Sequence, residues 1–92
     1  MELTEKQTKK VTRQGRIGDA NVSVEFEVSE ENVPSRIQVN VLEDNLYGGA
    51  WYDVERGNFS LQATGLHFAK LVFEIAEEQI NDIRQKYESN PQ

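Results

Sequence analysis

Ninety-two residues make one domain, near the small end of what builds a core unaided, and the absence of cysteine excludes disulfide and thiolate chemistry. Net charge is −6, but residues 1–16 carry five basic and two acidic side chains while the rest carries five basic and fourteen acidic, +3 against −9. An acidic body repels phosphates, so non-specific nucleic-acid binding is not expected. No apolar run is long enough to span a bilayer, and Met1–Lys10 is polar, without the apolar middle of a secretory signal. The expectation is a cytoplasmic protein with no membrane partner. Two N-x-S strings, at Asn21 and Asn58, then read as chance.

In chain order, residues 1–9 read as a flexible polar and basic arm, and 10–92 as one α+β domain. From Lys10 the pattern alternates, with Val11, Arg13, Gly15 and Ile17 on one side. After a turn at Gly18–Asn21, Val22, Val24, Phe26 and Val28 alternate strictly with Ser23, Glu25, Glu27 and Ser29, a strand with one dry face and one wet face. Pro34 interrupts the next link, and Ile37, Val39 and Val41 form a third dry set. Short links imply antiparallel hairpins, and simple parity sets Val28 opposite Ile37, Phe26 opposite Val39 and Val24 opposite Val41. Glu43–Gly49 reads as a loop. Ala50–Val54 and Asn58–Ala63 complete a four- to five-stranded antiparallel meander.

Thr64–Glu88 is the element around which the chain is organised. Leu66, Ala69, Phe73, Ala76, Ile80, Ile83 and Tyr87 are spaced alternately three and four apart, one stripe of an α-helix. Thr64 is the expected N-cap. A sheet with one wet face needs a layer on its dry face, and this long C-terminal helix supplies it. Phe26, Val39, Phe59, Leu61 and Phe73 are then expected to share one core.

Candidate chemistry is sparse. There is one histidine, His67, placed off the apolar stripe, so zinc and triad chemistry lack their parts. Asp44, Asp53 and Glu55 do not have the alternating spacing of a calcium loop, and Gly48–Gly49 is not followed by a helix that would cradle phosphate. No catalytic, metal or cofactor residue is assigned, and the chain reads as a binding protein more than an enzyme. Tyr47, Trp51 and Tyr52, concentrated beside two glycines, are candidate partner-binding residues, because aromatics dominate binding hot spots. The alternative is that alternation sends Trp51 or Tyr52 into the core.

The first half of the helix is apolar beyond its stripe. Phe68, Leu71 and Ile75 lie on an adjoining side and are the candidate interface of a homodimer, since one sheet covers only one side of a helix. The functional expectation is a small acidic protein–protein interaction or assembly module, homodimeric, with a further protein partner an open option. The alternative is an acidic inhibitor or nucleic-acid mimic that occupies a basic site on a partner enzyme; thirteen of sixteen acids lie at or after Glu25.

Overall fold

The computed structural model describes residues 8–88. Five strands, β1 (Thr8–Ile17), β2 (Ala20–Ser29), β3 (Arg36–Glu43), β4 (Leu46–Asp53) and β5 (Asn58–Ala63), precede one helix, α1 (Gly65–Glu88). The strands form an antiparallel sheet in the order β1-β2-β3-β4-β5, with the helix packed against β3, β4 and β5. The architecture is the expected α+β meander with a C-terminal helix. Thr8 and Lys9, assigned to the arm from sequence, belong to β1, and the rest of the arm lies outside the described residues.

Tight hairpins follow from local chemistry. β1 and β2 are joined through Gly18 and Asp19 alone, with Ile17 paired to Ala20 and Gly18 at φ 62°, where glycine escapes the Cβ penalty. At the end of β4, the Asp53 carboxylate accepts the Glu55 and Arg56 backbone N–H groups at 3.1 and 3.3 Å, and Gly57 at φ 74° turns the chain into β5.

The register between β2 and β3 differs from the expected one by two residues. Val24 pairs with Val39 and Val22 with Val41, so the faces match but the partners move along. The cause is the connection. The Ser29 hydroxyl accepts the N–H groups of Glu31 and Val33, Asn32 takes a left-handed φ of 66°, and the buried Pro34 bridges Val28. From Val28/Pro34 to Glu25/Gln38 the chain uses two residues on β2 and three on β3, the one-residue excess of a β-bulge. Proline ends the regular ladder but stays in the sheet.

The dry face is built from Val22, Val24, Phe26, Val28, Ile37, Val39, Val41 and Ala50, all buried. Phe68, Val72, Ile75, Ala76, Ile80 and Ile83 face them from the helix. Each fully buried Val, Ile or Phe contributes about 1.5–3 kcal/mol. The surface pairs Lys10–Glu25 (3.8 Å) and Arg13–Asp82 (2.8 Å) contribute at most about 1 kcal/mol each, so apolar packing holds helix to sheet.

The helix sits at a different rotation from the one its periodicity suggests. Phe73 is 45% and Leu66 93% exposed, whereas Phe68 and Ile75 are each 5% exposed. The expected shared core therefore loses Phe73 and Phe59, while Phe26 and Val39 are in it and Leu61 packs at its margin. The seat of the rotation is Gly48. A Cβ there would overlap the Val72 side chain, so the missing side chain on β4 is the socket that fixes which helix residue points down. The Glu43–Gly49 segment, expected as a loop, is instead strand at Glu43 and again from Leu46 onward, with only Asp44 and Asn45 between β3 and β4 and Asp44 at φ 53°.

Candidate interaction surface

Of the three residues expected on a free helix side, Phe68 and Ile75 are covered by the chain's own sheet and Leu71 is half-buried at its margin. The expected interface is corrected accordingly. The apolar surplus exists, but it lies on the opposite flank of the helix, where the 66/69/73 part of the stripe has rotated away from the sheet.

That flank adjoins β5, an edge strand. Phe73 meets Phe59 edge to face, with centroids 5.8 Å apart and rings at 89°. Phe59 is itself 40% exposed, and Leu61 and Ala63 follow it on the same face of β5, half-buried. Thr64 does not cap the helix. Its hydroxyl donates to the Tyr47 carbonyl and accepts the Tyr47 N–H, extending the β4–β5 ladder by one step, and Gly65 at φ 79° makes the corner. From Gly57 to Ala69 there is no Asp, Glu, Lys or Arg, the longest such run in a chain with 26 charged side chains. This run was visible in the sequence, and it is the signal that locates the exposed flank.

At the start of the helix, Leu46, Leu66, Phe68 and Leu71 line an open cleft of about 620 Å³ between the first two turns and the β3–β4 hairpin. His67 lies on its rim and is exposed.

The aromatic trio is divided between the two faces of β4. Tyr52 is on the dry side, half-buried against the core, with the Arg84 guanidinium 5.4 Å from its ring centre. Tyr47 and Trp51 are on the wet side, opposite Leu42 and Gln38 of β3. The Trp51 indole lies over Gly49, where an added Cβ would come within 3.2 Å of its ring. Tyr47 donates its hydroxyl to the Asn40 side-chain oxygen at 3.3 Å, and the Gln38 amide reaches the same oxygen at 3.5 Å. The glycine pair thus serves two contacts, Val72 on one face and Trp51 on the other.

Asp44 and Asp53 stand at opposite ends of β4, about 25 Å apart at strand rise, and Asp53 is engaged in its own turn. Among the described residues no group of three or more His, Asp or Glu is placed to hold a metal ion, and no helix is long and apolar enough to cross a membrane. Comparison with protein-family models, characterised proteins and solved structures found no match.

Proposed function

We propose that this domain is a non-enzymatic protein–protein interaction and assembly module that works as a homodimer. The observation that carries this reading is the exposed Phe73–Phe59 contact beside a sheet-edge strand that has no charged residue, in an otherwise charged and acidic chain. Exposed apolar patches of this kind mark interaction sites, and two acidic copies associate with least electrostatic cost through surface that carries no charge. Tyr47 and Trp51 on the wet face form a second candidate contact for a protein partner, and Tyr52 does not belong to it.

The reading as an acidic inhibitor or nucleic-acid mimic has less support. Its most compact acidic set, Glu25 and Glu27 on β2, is interleaved with Lys10 across the β1 ladder and with Arg36 at the start of β3, so no field of one sign forms there.

Sedimentation equilibrium at micromolar concentration tests the proposal. Twice the 10.5 kDa chain mass is expected. Phe73→Glu puts a charge in a surface that would be dry, and should weaken association about a hundredfold or more without unfolding a residue exposed in the single chain. Gln85→Glu, on the exposed part of the helix, should leave it unchanged. A mass of one chain at every concentration would overturn the reading.

A further inference from the structure

We infer that two copies join β5 to β5 in antiparallel register with Leu61 on the two-fold axis, making one continuous ten-stranded sheet with both helices on the same face. This rests on the dimeric reading above and names its contact.

The phase of the β5 edge follows from one hydrogen bond. Thr64 donates its N–H to the Tyr47 carbonyl at 2.9 Å, which fixes the phase of the β4–β5 ladder. Hydrogen-bonded and non-bonded pairs alternate in an antiparallel ladder, so Gln62 and Ser60 also bond inward, and the N–H and C=O groups of Phe59, Leu61 and Ala63 point out of the sheet. A strand edge left in this state is a template for another strand. β5 carries no lysine, no proline and no charge of any kind, the side chains that usually guard such an edge.

Self-pairing about Leu61 matches Leu61 with its copy and Phe59 with Ala63 of the other chain, in both directions, so every outward group on the edge finds a partner. The registers centred on Ser60 or Gln62 leave one of those residues unmatched. A two-fold axis perpendicular to the sheet also keeps the dry faces on one side. The two β4 strands then lie about 14 Å apart across three strand spacings. Helices pack at about 8–10 Å, so the space between the helices has to be filled by side chains, and Phe73 and Phe59 of each copy stand at its border. A β5 edge about 20 Å long with these side chains buries on the order of 1,200 Å² in total, the lower end of stable interfaces. The charge-free run from Gly57 to Ala69 is what two chains of net charge −6 need at a shared surface.

The register is read by cross-linking, which is clean in a chain without cysteine. In this arrangement Ser60 faces Gln62 of the other copy on the wet side, as a close non-bonded pair. Ser60→Cys mixed with Gln62→Cys should give a disulfide-linked dimer under mild oxidation, while neither variant alone does so efficiently. Both positions are exposed, so neither substitution disturbs the core. Ser60→Glu with Gln62→Glu should weaken association about tenfold or more through like charges set opposite one another. Cross-linking of Ser60→Cys alone, or of Gln62→Cys alone, would overturn the Leu61 axis in favour of a slipped register. A protein that sediments as a dimer but cross-links in no combination would place the interface elsewhere and overturn this inference alone. A single-chain mass would remove both.

Discussion

The two ends of the sheet stand in the same topological position and are built in opposite ways. β1 has ten residues, and Lys9, Lys10, Arg13 and Arg16 are distributed along it without a single acid. β5 has six residues and no charge. Charged side chains, lysine above all, are how sheet edges avoid unwanted pairing, because adding a strand would bury them. On the β1 side the helix is also tied down. Arg13 reaches from β1 to Asp82 at 2.8 Å and to Gln79 at 3.3 Å, and Tyr87 packs edge to face on Phe26 of β2 at 5.7 Å. On the β5 side the helix turns Leu66 and Phe73 outward. A chain that blocks one edge and leaves the other bare has the pattern of a pair with a defined stopping point, since a sheet with one usable edge closes at two copies.

The closed and open sides should respond differently to mutation. The largest difference is expected between Ile83→Ala and Phe73→Ala. Ile83 is wholly buried, and its truncation should cost about 2–5 kcal/mol in urea unfolding. Phe73→Ala, measured where the chain is monomeric, should cost about 1–2 kcal/mol, because the ring is only partly covered and loses its contact with Phe59. Equal costs would show that the helix is rotated otherwise than described. Next is the pair of strand glycines. Gly48→Ala drives a methyl into Val72 and should cost about 1–3 kcal/mol, whereas Gly15→Ala on β1 meets open space and should stay within about 0.5 kcal/mol of the parent. The smallest effect belongs to the exposed tie. Arg13→Ala should lose at most about 1 kcal/mol, part of it vanishing in high salt. A companion experiment sharpens the edge comparison: Lys9→Thr, Lys10→Thr and Arg16→Thr together should let β1 pair as well, seen as species larger than a dimer in light scattering.

Strand order and the choice of dry face were readable because a period of two survives any local irregularity, as in Val22–Ser29. Three features were not. The β2–β3 register depends on one extra residue after Pro34, and bulges have no signature that parity counts. The Gly48–Gly49 pair reads as part of a loop in the sequence, but each glycine is small because another group sits on it. The rotation of the helix was ambiguous because its first half is apolar on two sides, and the stripes 66/69/73 and 68/72/75 meet at Ala76. Periodicity cannot choose between them; the socket at Gly48 does. Among the site residues, Phe68 and Ile75 were drawn inward by that choice, and Leu66, Phe73 and Phe59 took the exposed place.

Amide hydrogen exchange measured against protein concentration tests the central claim most directly. Among the described residues the outward N–H groups of Phe59, Leu61 and Ala63 have no partner in the sheet, and in the proposed dimer they acquire one where β5 meets β5. Their exchange should slow at least tenfold as concentration rises through the association range, while the outward amides of β1 stay fast throughout. Exchange at Leu61 that is fast at every concentration, in a protein that sediments as a dimer, would contradict the account.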